Sequence, residues 1–207
     1  MLHVPVLLEE SLDFLLHNLS GSYLDLTFGR GSHSQEILKR LSPDGTLDAV
    51  DRDKDAVLYG KEHFNDSRFS IHHSNYSEIE LLFSNKQFDG IILDLGICST
   101  HLDDPNRGFS FQTNGPLDMR MDTSVGLSAY EWLNNAPELE ISDILYKYGE
   151  EKASRKIASE IVKSSLSELS EKPGAIKKIN NGINISIIKT INIKPTKSKL
   201  NILFANF

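Results

Sequence analysis

Apolar residues recur at helical spacing through His3 to Leu16, broken by Glu9, Glu10 and Asp13, and predict a short lead-in followed by an amphipathic helix. Ser22 to Thr27 has the β-rich composition of a short strand. A Gly29-Arg30-Gly31-Ser32 turn follows, and Gln35 to Leu41 returns to helical periodicity. Thr46 to Val50 is an apolar run ending at Asp51, Lys54 to His63 predicts a helix, Phe69 to His72 a strand and Ile79 to Leu82 a short helix. Gly90 to Leu95 is nearly continuous in apolar residues, as in strands of a parallel sheet that are covered on both faces. Four strands interleaved with helices predict an α/β fold built on a doubly wound half-sheet.

The pattern changes after Thr100. Asp103 to Asp122 is rich in Gly, Pro, Asn and Asp and predicts a long structured loop of the kind that commonly carries function. Leu127 to Leu133, Leu139 to Tyr146 and Glu150 to Ser165 then predict three helices of a small subdomain. From about Glu171 the chain turns rich in Lys, Asn and Ile with weak periodicity. An edge strand pair, an arm that touches RNA and an out-of-frame tail are equally compatible with that composition. The expected division is therefore 1–104, 105–170 and 171–207.

Length and charge narrow the class. The 207 residues, 39% hydrophobic and 25% charged, suffice to bury a real core. No run approaches the ~20 apolar residues of a membrane span, and the first ten residues carry acids where a signal peptide is basic, so a cytoplasmic location with no membrane partner is expected. The single cysteine, Cys98, cannot close an internal disulfide and has no partner thiol for a zinc site; no metal is expected. A net charge of −7 argues against nucleic-acid binding through a general positive field, so any RNA contact has to be local.

The glycine loop between a strand and a helix lets a ligand lie against bare backbone at a helix N-terminus. Taken alone it is equally a simple turn. Asp51 stands twenty positions beyond Gly31 at the next strand end, where a carboxylate can accept both hydroxyl hydrogens of a ribose; the competing reading makes Asp51 the cap of the Lys54 helix. This spacing does not separate a nicotinamide dinucleotide from S-adenosylmethionine. Asp94, in Asp94-Leu95-Gly96, ends the fourth strand on the side where ligands of open α/β sheets bind.

Eight segments in order carry a family resemblance. They are His3-Val4-Pro5-Val6-Leu7, the Thr27 to Gly31 loop, Asp51-Arg52-Asp53, Leu93 to Gly96, Arg107 to Phe111, Gly115 to Asp122, Glu131-Trp132-Leu133 and Tyr148 to Glu151. From His3 to about Lys163 the chain resembles the bacterial ribosomal RNA small-subunit methyltransferase H family, also called MraW. The resemblance implies a Rossmann-like methyltransferase core with a helical insertion, the sheet being incomplete because later family segments are missing. It further implies S-adenosylmethionine as cofactor and methylation of N4 of a cytidine in the decoding region of small-subunit ribosomal RNA, with that RNA as partner. Self-association as a homodimer stays open. By position, Gly31, Ser32, His33, Asp51, Tyr76, Asp94 and His101 match the family's cofactor residues. Ser32 stands where glycine is usual, which a negative φ tolerates; Tyr76 replaces Phe and His101 replaces Gln.

An exocyclic cytosine amine is a poor nucleophile, so the site has to align it and accept its developing charge. Asp94 is the candidate catalytic acceptor, directly or through carbonyls of the Leu95 to Ser99 turn. Arg107, Phe109, Phe111 and Arg120 are candidates for contact with a splayed base and its phosphate, against a reading in which the aromatics pack. Trp132 is expected in the core and Cys98 is expected to pack rather than react. Two rivals remain: a nicotinamide-dependent oxidoreductase, and a non-catalytic remnant of the family.

Overall fold

The computed structural model describes residues 7–110, 112–163 and 203–204. The His3 to Val6 segment, Phe111 and all but two residues of the 171–207 tail therefore lie outside the described residues. Those that are described fall into two compact units that divide after Leu95.

The first unit holds α1 (Leu8–Leu15), β1 (Ser22–Asp25), α2 (Ser32–Arg40), β2 (Thr46–Asp51), α3 (Lys54–His63), β3 (Phe69–His73), α4 (Ile79–Leu82) and β4 (Gly90–Leu93). Its sheet is parallel throughout, in the order β3-β2-β1-β4-β5, where β5 is the two-residue strand Leu203–Phe204. The strand sequence reverses between β1 and β4, the position at which open α/β sheets leave a crevice beyond their carboxyl ends.

Alternation along the strands loads both faces. Tyr23 and Leu47 join Leu12, Leu15, Ile37, Leu38, Leu41 and Ile92 in one cluster. Their strand neighbours Leu24 and Val50, with Leu26 and Leu93, form another, covered by Tyr76, Ile79, Phe83 and Phe88. Strands buried on both faces are apolar runs for this reason, and each fully buried large side chain contributes about 1.5–3 kcal/mol.

Several boundaries depart from the sequence pattern, each with a local cause. Helix α1 starts at Leu8 because Leu7 takes a left-handed φ of 54°, and α2 starts at Ser32 because Gly31, at φ 75°, forms its N-cap. Strand β4 stops at Leu93 because the next amide, that of Asp94, leaves the ladder for a side-chain acceptor.

The second unit begins with α5 (Ser99–Asp103), which the periodicity did not announce, and a 3-10 turn at Pro105–Arg107. Helices α6 (Ala129–Asn135), α7 (Glu138–Lys147) and α8 (Ser154–Lys163) follow. Ser128 and Glu131 close a capping box on α6, which moves that helix two residues beyond its predicted start. Ile141, Leu145, Ala158 and Ile161 make the core of the helical part, with Trp132 packed against it as expected. Among the described residues no helix is long and apolar enough to cross a membrane.

Candidate cofactor site

The chain leaving β1 is held by the tips of both neighbouring strands. Leu26 N–H donates to the Ile92 carbonyl of β4 at 3.0 Å, and Phe28 N–H to the Val50 carbonyl of β2 at 3.2 Å. The side chains repeat the pattern one step further out. Asp94 N–H donates to Thr27 Oγ1 at 2.8 Å, and Gly29 N–H to Asp51 Oδ2 at 2.7 Å. The glycine loop, Asp51 and Asp94 are therefore brought to one edge of the sheet by direct hydrogen bonds. Wide separation of these positions would have excluded a shared ligand.

Asp51 does not cap α3. That role belongs to Asp53, whose carboxylate accepts from Asp55 N–H at 3.0 Å. Asp51 instead fixes backbone, its Oδ1 accepting from Asp53 N–H at 2.8 Å while Oδ2 takes Gly29. A carboxylate offers about four lone-pair sites, so an acid that fixes backbone can in principle also accept from a ligand.

Gly31 is required by its backbone and its surroundings. Its φ is +75°, and an added Cβ would run into the rings of Phe28 and Phe64. Those rings pack edge to face at a centroid distance of 5.1 Å, so the glycine lets α2 close onto the aromatic cluster under the loop. Ser32 is the first residue of α2 and is absent from the non-glycine residues with positive φ, which satisfies the condition for a side chain at this position. His33 follows in the first turn and is buried. Gly31, as the N-cap, makes no side-chain capping hydrogen bond. A helix N-terminus carries partial positive charge suited to a carboxylate. The bare glycines of the loop and the carboxylate of Asp51 at the next strand tip are groups that fit S-adenosylmethionine.

Sequence reasoning missed Asp25. It is 1% exposed, and its oxygens accept from Thr27 N–H at 3.0 Å and from Ser34 Oγ at 2.7 Å. Burial pushes its carboxyl above the ordinary value, against the lowering effects of the Ser34 and Thr27 hydrogen bonds and the nearby His33. An acid inside the loop motif was the available signal.

Tyr76 opens a 3-10 turn capped by Asn75 and packs half-buried against the cluster of Leu24, Val50 and Leu93. Asp94 is exposed.

The other candidates belong to the second unit. His101 is buried, its ring 5.4 Å from that of Phe109, and its Nδ1 accepts from Cys98 N–H at 3.3 Å. Burial pushes the Cys98 thiol up, but the hydrogen bond and charge of His101 and the Thr100 hydroxyl outweigh it and leave the pKa lowered. Phe109 is fully buried, which agrees with the packing reading of this ring. Arg107 is buried too and donates from Nη2 to the carbonyls of Arg120 and Met121 at 3.2 and 2.8 Å. Arg120 is engaged with Asp118 at 2.6 Å and with the Gly126 carbonyl at 3.2 Å. These three residues organise the 105–126 loop. Among the described residues no group of three or more His, Cys, Asp or Glu could hold a metal ion.

Comparison with known proteins gives the family. The chain is 49% identical over 164 residues to the ribosomal RNA small subunit methyltransferase H of Pseudoalteromonas atlantica, covering 77% of this chain and 53% of the relative. It is 46% identical to the protein of the same name from Idiomarina loihiensis, covering 77% and 52%. The chain thus spans about half the length of the curated relatives it matches. An S-adenosylmethionine-dependent methyltransferase structure from Aquifex aeolicus aligns at 17% identity and a TM-score of 0.35 over 67% of this chain and 76% of that one, a likeness too low to bear on the assignment. The sequence profile described as the MraW methylase family matches residues 1–198, and the chain belongs to that family.

Proposed function

We propose that this chain binds S-adenosylmethionine at the carboxyl edge of β1, β2 and β4, and that it serves methylation of the N4 amine of a cytidine in the decoding region of small-subunit ribosomal RNA. Family membership and the names of the relatives support methylation of ribosomal RNA. The observation that carries the cofactor reading is the pair of hydrogen bonds tying the 27–29 loop to Asp51 on one side and to the Asp94 backbone on the other.

In this reading the start of α2, at Gly31, Ser32 and His33, receives the methionine carboxylate. Asp51 accepts from the ribose hydroxyls, Tyr76 borders the adenosine, and Asp94 stands nearest the reacting end. His101 completes the family's set of positions. The cofactor supplies an electrophilic methyl group on a sulfonium. Asp94 orients the cytosine amine and accepts a hydrogen bond from it as positive charge develops on nitrogen, with carbonyls of residues 95–99 as further hydrogen-bond acceptors, and the proton passes to the Asp94 carboxylate and on to solvent. Arg107, Phe109 and Arg120 serve the RNA by holding the 105–126 loop in shape. The setting is the cytoplasm, where ribosomal RNA is modified.

Calorimetric titration with S-adenosylmethionine and with NAD separates this reading from an oxidoreductase: saturable binding of the first and none of the second is expected, and the reverse overturns it. Because the chain spans about half of its relatives, a second reading is cofactor binding without transfer. Incubation with small ribosomal subunits and methyl-labelled cofactor decides between them. Labelled N4-methylcytidine supports the enzyme, and binding without label supports the remnant. An Asp94→Ala variant with unchanged transfer would remove Asp94 from the chemistry.

A further inference from the structure

Among the described residues no hydrogen bond holds the Asp94 carboxylate, so its place is set by its backbone. That backbone has left the sheet: β4 ends at Leu93, and the Asp94 amide is accepted by Thr27 Oγ1 at 2.8 Å. Thr27 is itself pinned, because its amide donates to Asp25 Oδ1 at 3.0 Å. The second oxygen of the buried Asp25 takes the Ser34 hydroxyl, in the first turn of α2, at 2.7 Å. One continuous chain of hydrogen bonds therefore runs from the start of α2 through Asp25 and Thr27 to the backbone of Asp94. A β-branched threonine has few χ1 choices, which makes its hydroxyl a stiff link rather than a swinging one.

We propose that Thr27 is a positioning residue: its hydroxyl fixes the Asp94 backbone relative to the cofactor loop, so that Asp94 and the α2 N-terminus engage one ligand together. The proposal rests on the reading of this edge as the S-adenosylmethionine site. A glycine or alanine at position 27 would leave the loop its fold and the sheet its strands, but would free the tip of β4. Val matches the shape of Thr and lacks only the acceptor; Ser keeps the acceptor and loses only a methyl group.

The test measures S-adenosylmethionine affinity by calorimetry for the full chain and its Thr27→Val, Thr27→Ser, Asp94→Ala and Thr27→Val/Asp94→Ala variants. Loss of one hydrogen bond to a pre-set acceptor predicts about tenfold weaker binding for Thr27→Val. Thr27→Ser is expected within about twofold of wild type, and Thr27→Val adds less than about twofold on the Asp94→Ala background, since coupled residues are not additive. Full additivity, or equal loss in Thr27→Ser and Thr27→Val, overturns the proposal, and so does wild-type affinity in Thr27→Val. Hydrogen exchange at the Asp94 amide gives a readout independent of cofactor: protection in wild type and Thr27→Ser but not in Thr27→Val supports the link, and equal protection in all three refutes it. If wild type binds no S-adenosylmethionine, the cofactor reading fails while the exchange result still judges the hydroxyl link. If Thr27→Val does not fold, Thr27→Ala replaces it in both measurements.

Discussion

At the scale of single residues, the parts of the site that announce themselves differ from those that hold it up. Gly31, Asp51 and Asp94 stand out in the sequence because their residue types recur at consecutive strand ends. Asp25 and Thr27 do not, because their importance lies in which backbone amides come within reach once β1 lies between β2 and β4. Arg107 and Phe109, a cationic and an aromatic side chain in a loop, are both buried, which for the ring agrees with packing.

Asp25 gives a prediction with a definite sign. Its carboxyl is raised by burial, so stability associated with the protonated form is present below the ordinary value of 3.8 and is lost as pH rises through the folded value. Asn at this position keeps hydrogen-bonding capacity without the charge. The melting temperature of Asp25→Asn relative to wild type is therefore expected to become more favourable as pH rises from about 4 through the raised folded value. Melts of the cofactor-free proteins across that range check it; a constant or falling difference contradicts it.

At the scale of elements, periodicity located α3 and α4 to the residue and most other elements to within a few, because apolar spacing reports burial directly. Its errors fall where a special backbone or cap intervenes. Glu150, at φ 52°, and the turn after it keep α8 from starting before Ser154. Helix α5 was missed because Ser99 to Asp103 holds a single large apolar residue, Leu102, and so shows no apolar period.

The end of α2 is fastened from outside by Arg68, just before β3. Its guanidinium donates to the carbonyls of Leu38, Leu41 and Ser42 at 2.9, 2.9 and 3.2 Å. Asp66 pairs with it at 2.7 Å, and that Arg68 partner holds the Asp66 carboxyl down to about 2. Arg68→Ala is expected to cost about 2 kcal/mol in denaturant unfolding, the scale of charged hydrogen bonds at a helix end. Arg68→Lys should recover less than half, because an ammonium cannot span three carbonyls as the planar fork does. Full recovery by Lys would reduce the cap to a simple charge. The Asp66 share is present above pH 3.8 and lost as pH falls through about 2, so the gap between Arg68→Ala and wild type should narrow in acid.

At the scale of the molecule, strand order and charge set the limits. The strand order reverses between β1 and β4, the position at which open α/β sheets leave a crevice. The sequence could announce alternating strands and helices but not this order, which depends on pairing between distant segments. A net charge of −7 leaves no general field for RNA. Binding to small-subunit RNA is accordingly expected to show a shallow salt dependence, with a log–log slope of about −2, corresponding to a few phosphate contacts. A slope steeper than about −5 would mean a basic surface that this account does not contain.

The central claim is that the Gly29 to His33 loop, Asp51 and Asp94 address one ligand. Amide chemical shifts of the isotopically labelled chain during titration with S-adenosylhomocysteine test it most directly. The account predicts saturable shifts at residues 27–33, 51–53 and 94–96 that share a single dissociation constant. Shifts confined to other strand edges, or different constants for the three segments, would contradict it.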